Sequence, residues 1–425
     1  MKVHGTIRPP GDKSISHRVL MVAALARGRS ELSGLLTGAD VKATARVLRQ
    51  LGVRISPIRE GATVAVRGGP LTRPPSPLHC GNSGTTARLA LGLLAAQPFV
   101  ARLTGDVSLR RRPMRRVTEP LTRMGARIEP PDAATLPLTI GGGKLHGIAY
   151  DSPVASAQVK GALLLAALAA RVPVTLREPY RSRDHTERLF LHLGLELHAA
   201  PSGVSFQPSA RAPVPPFDLA VPGDASSAAF LVGAAVLAEG GELAIENVGL
   251  NPTRTGFLIV LQRMGARVER LNLRDAGGEP VGDLLVRPAA LRGTDVSAAE
   301  IPTLIDEVPI LAVLASRAAG TTVFHEAGEL RVKESNRLEL LAADLRAVGV
   351  EAEVQGDDLC VRGTDRPPRG RVDTAGDHRL AMAFGVLGTL PGADVRLSER
   401  RSVGISYPGF FGDLRRMGHD ARHRD

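Results

Sequence analysis

Residues 7–17 read I-R-P-P-G-D-K-S-I-S-H and are followed by Arg18 and by an apolar run, residues 19–26. The run predicts a buried helix, and the polar residues before it place Lys13, Ser14 and Arg18 at the mouth of that helix. Free backbone N–H groups and the positive end of the helix dipole favour an anion at such a terminus. The stretch is not a Walker A loop, because no G-x-x-x-x-G frame precedes the lysine. An ordinary surface turn with solvated charges is the alternative for this stretch alone.

The same arrangement of a polar cluster before an apolar helix returns five times along the chain. The later clusters read G-N-S-G-T-T, S-A-Q-V-K, G-D-A-S-S, L-I-D-E and G-D-H-R. The buried helices predicted after them span residues 87–96, 161–170, 228–238, 310–319 and 380–390. Ser, Thr, Asp and Asn are ordinary helix N-caps. Capping alone does not explain the Lys, Arg and His residues that accompany them, so we expect an anion-binding role.

A second helix in each unit carries Arg and Leu and ends at a glycine that is followed by a short β segment. These glycines are Gly52, Gly125, Gly194, Gly265, Gly349 and Gly418. Glycine is favoured just past a helix C-terminus because φ is positive there. The glycines are about 70 residues apart with one longer interval, which indicates repeated supersecondary units.

The repeat predicts an α/β (α+β) fold of two domains, each of three βαβαββ units around buried helices. A Pro-rich stretch, residues 212–217, lies between the third and fourth units and is the natural domain boundary. We expect a cleft between the two domains, which is the usual place for a ligand.

Composition limits the class of protein. We expect no transmembrane helix, because no run of about 18 apolar residues occurs, and no signal peptide, because Lys2, His4 and Arg8 interrupt the early sequence. The two cysteines, Cys80 and Cys360, are too few for a disulfide framework and fit a reducing cytoplasm. No Cys/His cluster has zinc spacing, so we predict no metal site.

The formal net charge of +11 would suit a nucleic-acid-binding protein. Aromatic residues make up only 3% of the chain and tryptophan is absent, which leaves little for base stacking. The arginines are also spread along the sequence, apart from residues 110–112 and the Arg/His-rich tail. We therefore expect a small polyanionic substrate and no nucleic acid.

Along its whole length the chain resembles the 5-enolpyruvylshikimate-3-phosphate (EPSP) synthase family. Nine stretches carry the resemblance in the family's order: P-P-G-D-K-S-I-S-H-R, G-N-S-G-T-T-A-R, L-T-G-D-V-S-L-R-R-R-P-M, S-A-Q-V-K, S-R-D-H-T-E-R, G-D-A-S-S-A, I-P-T-L-I-D-E-V-P, R-V-K-E-S-N-R-L and G-D-H-R-L-A-M-A-F. The resemblance implies a first domain of residues 13–221, and a second of residues 1–12 with 222–425.

The resemblance also implies the reaction. It is transfer of the enolpyruvyl group of phosphoenolpyruvate to the 5-hydroxyl of shikimate 3-phosphate, with release of phosphate, by addition and elimination through a tetrahedral intermediate. This step belongs to the shikimate pathway of chorismate and aromatic amino acid biosynthesis, needs no cofactor and is performed by a cytoplasmic monomer. Both substrates are phosphorylated carboxylates, which suits the bidentate guanidinium of Arg and the compact charge of Lys.

Residue roles follow from the matched motifs. For shikimate 3-phosphate, the implied ligands are Lys13, Ser14, Arg18, Ser156, Gln158, Arg183, Asp306 and Lys333. For phosphoenolpyruvate, they are Lys13, Gly84, Arg88, Arg112, Gln158, Arg337 and Arg379. The implied catalytic residues are Asp306 as the base for the 5-hydroxyl, Glu334 as the proton donor to the methylene, and Lys13, Lys333 and His378 in proton transfer and charge stabilisation.

Two positions depart from the family pattern. Ala157 replaces a serine that some members carry, which removes one hydrogen bond to the shikimate phosphate. Ile405 stands in S-V-G-I-S-Y-P-G-F-F, where many members have a lysine that binds phosphoenolpyruvate.

Other interpretations remain open. The sister enolpyruvyl transferase acting on UDP-N-acetylglucosamine shares the fold but uses a cysteine in a loop; neither Cys80, just before G-N-S-G-T-T, nor Cys360, in a β-like stretch, fits such a loop. A catalytically silent anion-binding protein on the same fold is a further alternative. The joint presence of Lys13, Asp306, Glu334 and Arg379 argues against it.

Overall fold

The computed structural model describes residues 1–209 and 213–418 of the chain. The start of the Pro-rich boundary and the basic tail therefore lie outside the described residues. The chain divides into two compact units. We call Gly11–Val221 with Ala276–Glu279 the N-terminal unit, and Met1–Pro10, Pro222–Asp275 and Pro280–Asp425 the C-terminal unit.

The first ten residues carry two short strands of the C-terminal unit, β1 Lys2–Val3 and β2 Thr6–Ile7. The helices of the N-terminal unit are α1 Lys13–Leu25, α2 Ala39–Gln50, α3 Gly84–Ala95, α4 Val107–Arg111, α5 Arg115–Arg123, α6 Ala157–Ala170 and α7 His185–His192. Its strands are β3 Arg29–Ser33, β4 Arg54–Ile55, β5 Val64–Arg67, β6 Leu78–His79, β7 Val100–Thr104, β8 Arg127–Glu129, β9 Leu138–Gly141, β10 Ile148–Asp151, β11 Val174–Arg177, β12 Leu197–Ala200, β13 Gly203–Phe206 and β14 Asp218–Ala220.

The later helices are α8 Ala225–Val236, α9 Gly256–Arg263, α10 Ile301–Leu304, α11 Val308–Ala315, α12 Arg337–Ala347, α13 His378–Leu387 and α14 Phe410–Arg416, with 3₁₀ turns at Ala327–Val332 and Arg401–Ile405. The later strands are β15 Gly240–Gly241, β16 Leu243–Gly249, β17 Arg267–Ala276, β18 Glu279–Arg287, β19 Asp295–Val296, β20 Thr321–Phe324, β21 Glu351–Gln355, β22 Asp358–Arg362, β23 Arg369–Val372 and β24 Asp394–Leu397.

Three sheets of one topology build the N-terminal unit, with strand orders β14-β3-β5-β4, β6-β7-β9-β8 and β10-β11-β13-β12. The first pair in each sheet is parallel and the other pairs are antiparallel. The predicted βαβαββ unit is thereby confirmed. In the first sheet the leading strand is β14 from the end of the unit, where Asp218 pairs with Glu31.

The C-terminal unit contains two sheets of the same topology, with strand orders β2-β16-β18-β17 and β19-β20-β22-β21. The leading strand of its first sheet is β2, where Thr6 pairs with Ala244, and β1 pairs with β15. The sheet of the sixth repeat contains β23 and β24 within the described residues. The β segment predicted after Gly418 lies outside the described residues. Its second helix, α14, ends at Arg416, two residues before the description stops.

The six predicted buried helices are present as α1, α3, α6, α8, α11 and α13, and most of their residues have no exposed surface. Each unit has its own apolar core around three of them. Four of the six helices begin three to six residues earlier than the apolar runs, and α11 and α13 begin two residues earlier. In α1 the Asp12 carboxylate accepts the backbone N–H of Ile15 at 2.8 Å, so the helix begins at Lys13. Arg18 is therefore a buried residue of the second turn, and its predicted place at the mouth of the helix is corrected.

The predicted helix-ending glycines have the expected backbone at five of six positions. Gly52, Gly125, Gly194, Gly265 and Gly349 have φ between 72° and 101°. A side chain would be strained there, so glycine sets the end of each of these helices.

Two short segments fall on the other side of the predicted domain boundary. Residues 276–279 belong to the N-terminal unit, because Glu279 Oε1 hydrogen-bonds His185 Nδ1 at 2.7 Å and Gly277 packs against Leu219. Gly11 and Asp12 also belong to that unit, since Asp12 caps α1. Among residues 1–209 and 213–418, no helix has both the length and the apolar content that crossing a membrane requires.

Candidate active site

The first turn of α1 presents Lys13 and Ser14 beside the start of α2. Lys13 Nζ lies 2.5 Å from Asp40 Oδ2, a carboxylate in the first turn of α2. Lys13 and Ser14 are only partly buried, so both stay accessible to a ligand. The helix N-terminus and the ammonium group together favour an anion at this position.

Arg18 is buried one turn further along α1 and its guanidinium is held on three sides. Its Nε donates to Thr186 Oγ1 at 2.8 Å, and its two terminal nitrogens donate to the carbonyls of Ser14 and Ala157 at 3.0 and 3.1 Å. Burial lowers the pKa of Arg18 to about 10, and the negative charge of Glu187 opposes that shift most strongly. Arg18 is still charged at neutral pH.

His17 is also fully buried beside these cations. Burial, reinforced by Lys13 and Arg18, lowers the pKa of His17 well below its usual value. Its Nδ1 forms a 2.6 Å hydrogen bond with Thr44 Oγ1. The imidazole is therefore neutral and adds no like charge to the cluster.

The N-termini of α3 and α6 carry the next group of predicted residues. Arg88 Nη1 donates to Gln158 Oε1 at 2.6 Å, and Gln158 Nε2 donates to Thr85 Oγ1 at 3.0 Å. A Cβ placed on Gly84 would lie 3.0 Å from Arg88 Nη1 and 3.4 Å from Arg112 Nη1. Two guanidinium groups thus converge on the backbone of Gly84, which is an arrangement suited to a carboxylate or phosphate.

Ser156 and Arg183 complete the set in this unit. Ser156 caps α6, since its hydroxyl accepts the backbone N–H of Val159 at 3.4 Å. Arg183 is half-buried, and its positive charge contributes to lowering the pKa of Arg18, which places it in the same electrostatic field. Seven of the nine sequence-predicted residues of the N-terminal unit therefore lie at or near the starts of α1, α3, α6 and α7. Arg18 lies one turn further along α1, and Arg112 follows the end of α4 and reaches the start of α3 with its guanidinium.

In the C-terminal unit Asp306 lies between α10 and α11 and faces three guanidinium groups. Its carboxylate is 3.5 Å from Arg337 Nη1, 3.5 Å from Arg379 Nη2 and 3.8 Å from Arg254 Nη1. Its backbone carbonyl also accepts from Arg379 Nη1 at 3.2 Å. Only 9% of Asp306 is exposed, so these charges act through a poorly screened environment.

Arg337 is the first residue of α12 and has no exposed surface. It donates to both oxygens of Asp377 at 2.9 and 3.2 Å and to Glu334 Oε2 at 2.6 Å. Burial alone would lower the pKa of Arg337, but Asp377, Glu334 and Asp306 outweigh it and raise that pKa. The hydrogen bonds of Arg337 to carboxylates thus use Nε and Nη2, and its Nη1 lies 3.5 Å from Asp306 Oδ1.

Asp377 connects this cluster to the start of α13. Its side chain accepts the backbone N–H of Arg379 at 2.9 Å and the hydroxyl of Ser335 at 3.0 Å. Burial tends to raise the pKa of Asp377, but Arg337 outweighs that effect and the pKa falls below its usual range. His378 is fully buried in the same first turn, and Arg379 donates to Ser226 Oγ on α8.

The remaining predicted residue, Lys333, is partly buried and directly precedes Glu334. All six sequence-predicted residues of the C-terminal unit thus lie in or beside one network of alternating charges, namely Asp306, Lys333, Glu334, Arg337, His378 and Arg379. Ile405, one of the two departures from the family pattern, ends a 3₁₀ turn and offers no charge.

Sequence reasoning missed several partners of these residues. Arg254, in N-P-T-R-T, approaches both Asp306 and Asp224 with its guanidinium, yet no predicted motif included it. Asp40 pairs with Lys13, and Asp377 pairs with Arg337 although only its capping position was noticed. Membership of a buried network of charges leaves no local sequence pattern. The signal that was available is a charged residue that stands among apolar residues or at a helix cap. In the described part of the chain, no group of three or more His, Cys, Asp or Glu side chains could hold a metal ion.

Comparison with known proteins decides the family. The family described as EPSP synthase (3-phosphoshikimate 1-carboxyvinyltransferase) matches residues 1–414. The chain belongs to the EPSP synthase family. Members named 3-phosphoshikimate 1-carboxyvinyltransferase include one from Halorhodospira halophila, 49% identical over 98% of this chain and 94% of the relative, and one from Geobacter metallireducens, 45% identical over 96% and 95%. A solved EPSP synthase from Acinetobacter baumannii superposes with a TM-score of 0.86 at 38% identity, covering 98% of this chain and 96% of the other.

Proposed function

We propose that this chain transfers the enolpyruvyl group of phosphoenolpyruvate to the 5-hydroxyl of shikimate 3-phosphate and releases phosphate. The observation that carries the proposal is the pair of charged clusters. One holds Lys13 and Arg18 in the first two turns of α1, and the guanidinium groups of Arg88 and Arg112 near Gly84 at the start of α3, which suits phosphates and carboxylates. The other surrounds one carboxylate, Asp306, with arginines, which suits acid–base chemistry. Family membership over residues 1–414 supports the same reaction.

In the N-terminal unit, Lys13, Ser14, Arg18, Ser156, Gln158 and Arg183 bind shikimate 3-phosphate. Phosphoenolpyruvate is bound by Lys13, Gly84, Arg88, Arg112 and Gln158, with Arg337 and Arg379 from the C-terminal unit. The hydrogen bond between Arg88 and Gln158 supports the assignment of Gln158 to both substrates, because it holds Gln158 beside a residue that binds phosphoenolpyruvate.

The C-terminal unit supplies the proton transfers. Asp306 takes the proton of the 5-hydroxyl as that oxygen forms a bond to C2 of phosphoenolpyruvate, and Glu334 gives a proton to the methylene carbon. The product of this addition is a tetrahedral intermediate with a methyl group. Elimination then returns one methyl proton to the protein, breaks the bond between C2 and the phosphate oxygen, and releases phosphate.

The surrounding residues suit these steps. Three arginines around Asp306 favour its ionised, proton-accepting form. Arg337 donates to Glu334 and holds it in place. Lys333 and His378 adjoin these groups in the chain and stabilise developing charge, as does Lys13. Asp306 and Lys333 also contact shikimate 3-phosphate in this proposal.

The proposal extends to the setting of the protein. Its partners are the two small substrates, with no nucleic acid or membrane, and it acts as a cytoplasmic monomer in chorismate and aromatic amino acid biosynthesis. The domain division into residues 13–221, and 1–12 with 222–425, is proposed as the division between shikimate 3-phosphate binding and acid–base chemistry. A ligand cleft between the domains stays a prediction.

The test is phosphate release by the purified chain without added metal. We expect release only when shikimate 3-phosphate and phosphoenolpyruvate are both present, with a product whose mass equals that of the enolpyruvyl ether. Release with UDP-N-acetylglucosamine in place of shikimate 3-phosphate would assign the chain to the sister reaction. No release with either acceptor would leave an anion-binding protein.

A further inference from the structure

A buried group of charges lies behind the proposed phosphate-binding residues of the N-terminal unit. Lys160, in the first turns of α6, places Nζ 2.8 Å from Glu178 Oε1 and 2.8 Å from Glu187 Oε1. All three side chains are at most 5% exposed. Burying an ammonium group and two carboxylates costs desolvation free energy. We therefore expect such a cluster where it holds neighbouring residues in a required geometry.

Lys160 and Glu178 hold the turn that carries Arg183. Lys160 Nζ donates to the carbonyl of Ser182 at 3.3 Å, and Glu178 Oε1 accepts the backbone N–H of Ser182 at 2.8 Å. The backbone N–H and carbonyl of Ser182, the residue before Arg183, are thus both fixed by the cluster. The direction in which Arg183 leaves the backbone depends on these contacts.

Glu187 and its neighbour Thr186 act on Arg18. Thr186 Oγ1 accepts from Arg18 Nε at 2.8 Å, and Glu187 anchors the same helical turn to Lys160. A Cβ on Gly161, the residue after Lys160, would lie 3.2 Å from Thr186 Oγ1 and 3.4 Å from Arg18 Nη2. The turn with Lys160 and Gly161 therefore packs directly against the guanidinium of Arg18.

The charges of this group also balance. Arg18 and Lys160 contribute two positive charges, and Glu178 and Glu187 contribute two negative charges. Burial raises the pKa of Glu187, and Lys160 opposes that rise. Loss of Lys160 would therefore favour a protonated Glu187 and weaken the negative charge that Arg18 senses.

We propose that Lys160, with Glu178 and Glu187, is the positioning centre of the shikimate 3-phosphate phosphate site. It sets the start of α6 with Ser156 and Gln158, the turn with Arg183, and the turn of α7 that orients Arg18. These three residues touch no substrate; they act through the residues that do. The inference rests on the proposed function and adds the residues that position its phosphate-binding side chains.

The experiment compares steady-state kinetics of wild-type protein and a charge-matched double variant, Lys160→Met with Glu187→Gln, which removes one positive and one negative charge. We expect the KM for shikimate 3-phosphate to rise about tenfold. The kcat should stay within about twofold. The KM for phosphoenolpyruvate should rise less than that for shikimate 3-phosphate, since Arg88, Arg112 and Gly84 have their own contacts and only Gln158 is shared between the two substrates. Leu165→Ala, a core truncation further along α6, is the control; it should lower the thermal midpoint and leave both KM values unchanged.

An unchanged KM for shikimate 3-phosphate in the folded double variant would overturn the inference, as would equal rises in both KM values. If the double variant does not fold, Thr186→Val decides the matter, because it removes the acceptor of Arg18 Nε with little change of shape. An unchanged KM in that variant would overturn the inference, and a rise of about fivefold for shikimate 3-phosphate alone would support it. Absence of phosphate release by the wild-type protein would instead refute the proposed function.

Discussion

Replacing Arg337 by methionine should destabilise the C-terminal unit strongly. Arg337 has no exposed surface and gives two hydrogen bonds to Asp377, itself fully buried. Without the guanidinium, Asp377 becomes a buried charge without its main cation. It also caps α13 through the backbone N–H of Arg379, so the helix start is affected as well.

The expected loss follows from this geometry. Removing one partner of a buried ion pair costs about 3–5 kcal/mol, because the other charge stays desolvated. The Asp377 contacts fall in this class, whereas Glu334 is partly exposed and adds less. We therefore expect the free energy of unfolding to fall by about 4 kcal/mol at neutral pH.

The assay is urea unfolding followed by far-UV circular dichroism, since the chain has no tryptophan for fluorescence. Arg396→Met is the matched control, because Arg396 forms an exposed pair with Asp394 and should leave the unfolding midpoint unchanged. The double variant Arg337→Met with Asp377→Asn should regain much of the lost stability. A loss below about 1 kcal/mol, or strictly additive effects in the double variant, would refute the buried-charge reasoning.

Three further outcomes are expected. Asp306→Asn should keep the fold but lower kcat about 10²–10⁴-fold, as expected for loss of a general base. Gly84→Ala should raise the KM for phosphoenolpyruvate and spare that for shikimate 3-phosphate, because the new Cβ meets Arg88 at 3.0 Å and Arg112 at 3.4 Å. Burial raises the pKa of Asp344 to about 7, so the folded state keeps this proton while the unfolded state loses it, and stability falls as pH rises from about 4 to 7. Asp344→Asn should remove that fall and raise the free energy of unfolding at pH 8 by on the order of 3 kcal/mol.

Each of these has a contrary result. Full turnover by Asp306→Asn would remove this residue from the base role, with circular dichroism as the check on folding. Equal effects of Gly84→Ala on both KM values would mean a general disturbance of α3. An Asp344→Asn variant that gains no more stability at pH 8 than at pH 4 would show that the pKa of this carboxyl is not raised in the folded protein.

Local signals were predictable from the sequence. Glycines that end helices, such as Gly52 and Gly265, and caps, such as Asp12 and Ser83, act over three to five residues, so a single stretch contains the information. The buried helices were also predictable, because a helix that is apolar on all sides has to be buried in the protein core. Their starts were placed too late because charged residues such as Arg18 were assigned to the surface, although tertiary partners bury them.

Long-range pairings were not predictable from local pattern. Arg254 meets Asp306 across 52 residues of chain. Lys160 on α6 meets Glu178, which follows β11, and Glu187 on α7. The spacing of such pairs is set by the tertiary fold and leaves no period in the sequence.

The most direct measurement uses phosphoenolpyruvate labelled with ¹⁸O in the oxygen that joins C2 to phosphorus. The account requires the bond between C2 and this oxygen to break, so the label should appear in the released phosphate while the ether oxygen of the product comes from the 5-hydroxyl. Mass spectrometry of both products reads the outcome. Label retained in pyruvate, with unlabelled phosphate, would show hydrolysis at phosphorus and would contradict enolpyruvyl transfer.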